Sequence, residues 1–146
     1  MVTLFLDIDG VLNHSGCPWT DSCTIDPDCL ACYFSLIRQL GSYEVDYEVI
    51  LTSSWRFSKD KRGFLRSIGI EWSDKPVLAK LGATRAIEIT QFVKDFKIDP
   101  SNVIILDDDP GLMLLDDVLR DRWVKTSFNK KGLTPGHVKQ SLEKLQ

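Results

Sequence analysis

Three short stretches of the chain carry side chains that could do chemistry together: "LFLDIDGVLN" near the start, "ILTSSWR" in the middle and "IILDDDPG" further on. The first supplies Asp7 and Asp9, one residue apart, with Gly10 immediately after. The second supplies Thr52, Ser53 and Ser54, with Arg56 just beyond, and the third supplies Asp107, Asp108 and Asp109. Several carboxylates gathered in one place repel one another and cannot all ionise cheaply without a cation. A hard divalent ion such as Mg²⁺ removes that conflict, because it prefers oxygen ligands and keeps water or phosphate oxygens in its remaining positions. The condition is that the fold brings the three distant stretches together.

The elements around them supply that condition. Val2 to Leu6, Glu48 to Thr52 ("EVILT") and Val103 to Leu106 ("VIIL") are short apolar runs with the continuous character of parallel strands covered on both faces. Helical patterns lie between them, and the alternation predicts an α/β fold with a central parallel sheet. The first helix is expected in "IDPDCLACYFSLIRQLG", with Asp26 as N-cap, Pro27 at its first position and Gly41 beyond its end. A second runs from Ser58 to Ser67, closed by Gly69. A third runs from Thr84 to Phe96, with Ile87, Ile89, Phe92, Val93 and Phe96 as its apolar stripe. "WVKTS" reads as another strand, and "LTPGHVKQSLEKL" as a last helix capped by Thr134 with Pro135 just inside. In a parallel sheet the strand ends open onto one crevice, so residues just beyond them converge although far apart in sequence.

The order of "DIDGVL", "ILTSSWR", a basic residue opening a helix and "IILDDD" resembles the haloacid dehalogenase superfamily of aspartate-nucleophile phosphatases, from Val2 to at least Pro110. More narrowly, "DIDGVLN", "LTSSWR", "ILDDD" and "KGLT" resemble the small phosphatase-like domains of nucleic-acid repair proteins, relatives of the 3′-phosphatase half of polynucleotide kinase-phosphatases. The resemblance implies a three-layer, Rossmann-like domain acting as a Mg²⁺-dependent phosphatase. Carried over, Asp7 is the nucleophile that forms an aspartyl-phosphate, and Asp9 protonates the leaving oxygen and later activates water. Alternate residues of an extended chain point the same way, which suits two carboxylates serving opposite ends of one in-line displacement. Thr52 and the Ser53 amide would bind phosphoryl oxygens. Asp107, supported by Asp108, would hold the metal beside the Asp7 carboxylate and the Asp9 carbonyl oxygen. The family's basic residue falls on Arg85, next to the expected cap Thr84, with Lys80 as its competitor, and Arg56 is placed to grip phosphate bidentately.

A chain of 146 residues, 43% hydrophobic and 27% charged, fits one ordinary globular domain. Only about forty residues separate the first two motifs, and a loop, a helix and a strand must come out of them, so no large cap is expected. An open site favours substrates too large to be swallowed, such as a nucleic-acid end or a phosphoprotein. The formal net charge of −3 gives no broad basic surface, so a nucleic acid would be gripped locally. "NKK" at Asn129 to Lys131 reads as a solvated loop, with a phosphate-backbone contact as the lesser reading. No run is apolar for long enough to cross a bilayer, and "MVTLFLDIDG" lacks the pattern of a signal peptide, so the expected compartment is the cytoplasm. Cys17, Cys23, Cys29 and Cys32 read as thiols rather than a zinc site, because "CLAC" falls inside a helix and supplies the one close pair. His14 could touch substrate, His137 reads as a surface residue, and Trp55 as packing. The alternatives to a phosphatase of nucleic-acid 3′-phosphate ends or another large substrate are a (deoxy)ribonucleotide phosphatase and a non-catalytic module that binds phosphorylated ends.

Overall fold

The computed structural model describes residues 1–75 and 83–145. Four strands, β1 (Val2–Leu6), β2 (Tyr47–Leu51), β3 (Val103–Asp107) and β4 (Trp123–Lys125), form one sheet in the order β2-β1-β3-β4, every pairing parallel. Among the described residues five α-helices pack around it: α1 (Pro27–Ser42), α2 (Lys59–Ser67), α3 (Arg85–Asp95), α4 (Asp117–Arg120) and α5 (Pro135–Glu143). The sequence expectation of an α/β, three-layer domain is met.

The layers arise from the two-residue period of the strands. Leu4, Leu6, Val49, Leu51, Ile104 and Leu106 face one core with Tyr33, Leu36 and Leu40 of α1 and Val138 of α5. Phe5, Ile50, Val103 and Ile105 face the other, against Ala86, Ile89, Phe92 and Val93 of α3 and Leu119 of α4. Both sides of β1 and β3 are therefore covered, and every residue of these two strands is buried. Helix entry is fixed by side-chain oxygens: Asp26 accepts from the Asp28 amide, Thr84 from Ile87 and Thr134 from His137. A cap of this kind is worth about 1 kcal/mol.

Several expectations need correction. Gly41 is the penultimate residue of α1 rather than a residue beyond it; the left-handed position after that helix falls on Glu44, with φ 55°. β2 starts and ends one residue earlier than expected. Ile87 and Phe96 are exposed, because α3 turns Ala86, Ile89, Phe92 and Val93 to the sheet and its last turn stops at Asp95. His137 is half-buried: its Nδ1 accepts from the Thr134 amide at 3.0 Å, completing a reciprocal cap. Gly69 does close α2, at φ 93°. Among the described residues, the chain between β1 and α1 is loop and turn without a cap domain, and no helix is long and apolar enough to cross a membrane.

Chain order decides where a ligand can enter the sheet. From β1 the chain moves to β2 on one side and then returns to β3 on the other, so the strand order changes direction between β1 and β3. Crevices of this kind, at the carboxyl ends of strands, are where open α/β sheets bind ligands. Asp7 comes directly after β1, and Asp107 ends β3.

The loop between β4 and α5 is tied to the loop after β1. The Leu133 amide donates to the Val11 carbonyl and the Ser15 amide to the Phe128 carbonyl, both at 2.8 Å. Gly132 makes this close approach possible. Its φ is +62°, and a Cβ there would lie 2.9 Å from the Val11 carbonyl oxygen and 3.0 Å from that of Asn13. We expect Gly132→Ala to destabilise the protein by more than about 1 kcal/mol, since both the conformation and the space are wrong for a side chain. Urea denaturation should show a lower midpoint at unchanged slope; an unshifted midpoint would mean the two loops are not held together in this way.

Candidate active site

Ladder hydrogen bonds continue past the strand ends and line up the motif residues along one edge. The Thr52 amide donates to the Leu6 carbonyl at 3.0 Å, the Asp7 amide to Leu106 at 3.0 Å and the Thr126 amide to Asp107 at 3.1 Å. Carboxylate oxygens of Asp7, Asp107 and Asp108 then lie within 4.8 Å of one another. Asp7 and Asp107 are buried, at 5% and 0% exposure, and Asp108 is half-buried.

Arg85, the first residue of α3, reaches into this group. Its Nη1 lies 2.6 Å from Asp107 Oδ2 and 3.5 Å from Asp7 Oδ1. Burial opposes the Arg85 charge, but Asp107 and Asp7 more than offset it and hold the guanidinium protonated. The second oxygen of Asp107 accepts from the Asp109 amide at 2.9 Å. One cation does not satisfy three carboxylates. Burial, and then Asp107 beside it, push the Asp7 carboxyl well above the ordinary carboxylate range although Arg85 pulls it back. Burial and Asp107 likewise raise Asp108. An all-oxygen donor set short of positive charge is what a hard divalent ion fits. Asp7, Asp107 and Asp108 would supply its carboxylate ligands.

Gly10 shapes the same spot. Its φ is +83°, and a Cβ would lie 2.0 Å from Asp108 Oδ2. The glycine after the acidic pair therefore does more than turn the chain; it leaves the space that the Asp108 carboxylate fills.

The Asp9 side chain stands outside the three-carboxylate group, exposed to solvent and held by two donors. Trp55 Nε1 donates to its Oδ2 at 3.1 Å and Asn13 Nδ2 to its Oδ1 at 2.9 Å. Asn13 is itself fixed, accepting from the Gly10 amide at 2.9 Å and donating to the Thr24 carbonyl at 3.1 Å. The sequence patterns assign neither residue this positioning role. Asn13 had a signal, four residues after Asp9 within one turn. Trp55 is packing, as expected, at 1% exposure, but its indole N–H is a donor that needs a partner when buried.

The remaining expected residues divide. Thr52 is buried at the end of β2, its hydroxyl donating to the Leu6 carbonyl at 3.2 Å. The Ser53 hydroxyl accepts from the Trp55 amide at 3.2 Å and caps the short turn that presents Trp55. Arg56 is engaged elsewhere: it pairs with Glu88 at 2.8 Å and donates to the carbonyls of Thr52 and Ser53. In this arrangement it braces β2 against α3, while its buried Nε has no hydrogen-bond partner among the described residues. Lys80, the competitor of Arg85, lies outside the described residues. His14 is paired with Asp26. The four cysteines are free thiols; Cys17 lies beside His14 and Asp26, while burial pushes the Cys29 thiol up to about 12.

An α/β sheet with acidic residues beyond β1 and β3, a hydroxyl beyond β2 and a cation opening the helix before β3 has the layout of HAD-type domains. Residues 3–138 match the model of a family described as the HAD domain in Swiss Army Knife RNA repair proteins, and the chain belongs to that family. No curated protein and no solved structure matches the chain significantly.

If the carboxylates hold Mg²⁺, the ion must stabilise the fold: at a hundredfold excess over its Kd, by about 2.7 kcal/mol. Thermal denaturation with and without Mg²⁺ measures this. The rise in Tm should shrink in Asp107→Asn, which removes a ligand charge, and in Gly10→Ala, which displaces Asp108. Equal shifts in all three proteins would remove these carboxylates from the metal site.

Proposed function

We propose that the protein is a Mg²⁺-dependent phosphomonoesterase that removes a terminal phosphate, a 3′-phosphate in the favoured case, from RNA ends. The observation that carries this reading is the convergence of Asp7, Asp107 and Asp108 within 4.8 Å at the sheet's switch point, with Arg85 between two of them. Membership of a family of HAD domains in RNA repair proteins supports both the chemistry and the substrate class. The exposed Asp9 and the absence of a cap among the described residues suit a substrate that stays mostly outside.

In this reading a carboxylate oxygen of Asp7 attacks phosphorus. A phosphorus–oxygen bond to Asp7 forms as the bond to the nucleotide oxygen breaks. Arg85 lies within reach of Asp7 and would neutralise charge on the transferring group. Asp9, aimed by Trp55 and Asn13, gives its proton to the departing oxygen. The same carboxylate then takes a proton from water, whose oxygen attacks phosphorus and releases inorganic phosphate from Asp7. Thr52 would turn its hydroxyl from the Leu6 carbonyl to a phosphoryl oxygen, beside the Ser53 amide. Bound Mg²⁺ would supply positive charge to the crowded carboxylates and the phosphoryl oxygens.

The two acids are separable by experiment. Asp7→Asn removes the attacking group, so no aryl phosphate ester, however activated, should be cleaved at an appreciable rate. Asp9→Asn keeps the attacking group; with a good leaving group it should retain first-step chemistry and accumulate a phosphorylated protein, because water is no longer activated. Rapid-quench labelling and then mass measurement decide between them. Equal labelling of both variants, or phosphate mapped to another residue, would defeat the assignment, and no phosphate release by the unaltered protein would favour a binding module.

A further inference from the structure

β4 ends on the same edge of the sheet as β1 and β3, and the loop beyond it borders a cavity of about 780 Å³. Its lining includes Lys125, Thr126, Ser127, Lys130, Lys131 and Thr134, and no acidic residue. All three lysines are exposed. In a chain of net charge −3, three ammonium groups around three hydroxyls form a local positive site. The first turn of α5, a nine-residue helix, adds the partial positive charge of its N-terminus.

An independent observation points to a ligand. Thr126 is 1% exposed, and its hydroxyl has no hydrogen-bond partner among the described residues. A buried hydroxyl left unpaired is costly. An oxygen-rich anion in the cavity that Thr126 lines would give it an acceptor once the surrounding loop parts from the shielded hydroxyl. The loop that lines the cavity is tied to the end of β3, since the Thr126 amide donates to the Asp107 carbonyl at 3.1 Å. Phe128, in the same loop as Lys130 and Lys131, has its ring 6.0 Å from the exposed Trp19 ring of the loop after β1. Lysines along a backbone track with aromatic rings alongside suit a single strand, whose phosphates meet the cations and whose bases stack on the rings.

We propose that this cavity binds a phosphodiester of a single-stranded oligoribonucleotide whose terminal phosphate lies at Asp7, with Trp19 and Phe128 offering ring faces to the bases. The inference rests on the RNA-end reading of the carboxylate site and adds to it a second phosphate site. A free phosphate or a mononucleotide monophosphate would use one of the two sites; a strand uses both.

The test is an anisotropy titration of a ten-nucleotide oligoribonucleotide, labelled at its 5′ end and carrying a 3′-phosphate, at several salt concentrations. It is done in the Asp7→Asn background so that the strand is not turned over. Lys130→Gln with Lys131→Gln should raise Kd about tenfold or more and flatten the dependence of log Kd on log salt by about 1.4, the loss of two phosphate contacts on a single strand. Lys94→Gln with Lys97→Gln, at the far end of α3, should leave both unchanged. Thr126→Val should weaken binding without lowering the Tm of the free protein, since no hydrogen bond is lost. Unchanged affinity on loss of Lys130 and Lys131, or equal losses from the two lysine pairs, would overturn the proposal. Phosphate release from an aryl ester by the unaltered protein, measured in parallel, judges the phosphatase reading separately: its failure leaves the titration to judge the cavity.

Discussion

A carboxylate taken out of water needs compensation, and here two of them, Asp7 and Asp107, are buried side by side where the strand order changes direction. Their attraction to Arg85 sets much else in the structure. α3 must begin where its first side chain can reach both strand ends, and Thr84 fixes that start by capping the helix. α3 is held in place from β2 as well, through the Arg56–Glu88 pair. Buried ion pairs are weak grounds for stability, because desolvation consumes most of their Coulombic gain. This cluster is also unbalanced, with more negative charge than Arg85 can neutralise. Such an arrangement makes sense as a site kept in readiness for added positive charge rather than as a device to hold the fold.

The acids that share one motif are treated differently by their surroundings. Asp7 lies in the crowded, buried group, its carboxyl raised by burial and by Asp107. Asp9, two residues on, is exposed and held by the amide of Asn13 and the indole of Trp55. Two carboxyl groups in unlike settings can take unlike roles in one reaction; the proposed division, attack by Asp7 and proton transfer by Asp9, needs a bound cation to return the raised Asp7 carboxyl to its ionised form. Asn13 and Trp55 arrive from different parts of the chain, so the aim of Asp9 depends on the docking of the β1 loop against the turn after β2.

What the sequence disclosed, it disclosed through local rules. The inner strands are legible because cover on both faces demands unbroken apolar runs, and the caps at Asp26, Thr84 and Thr134 because an oxygen before a helix has a recognisable spacing. Convergence of "DIDG", "LTSS" and "LDDD" was legible because parallel strand ends share an edge. The failures are tertiary. Nothing local distinguishes Ile87 and Phe96, which face solvent, from Ile89 and Phe92, which face the sheet. Arg56 looks like a free cation until Glu88 is seen beside it, thirty-two positions away. The Gly10 contact with Asp108 depends on two loops meeting, which no spacing rule announces.

The wholly parallel sheet also governs the order in which the molecule can assemble. With no hairpin in the sheet, every strand pairing joins distant segments, beginning with Val2 against Tyr47, so each rung closes a long loop before it gains a hydrogen bond. Helices can form early from their own turns, whereas the edge that carries Asp7, Asp107 and Thr126 exists only when β1, β3 and β4 are in register. Repulsion between Asp7 and Asp107 is felt once β1 and β3 pair, because the two residues lie at the ends of these strands. A nascent chain lacking β4 and the loop after it would have all three carboxylates but neither the ladder partner of Asp107 nor the clasp on Val11, so the segment from β4 to Leu133 braces a site whose acids come from β1 and β3.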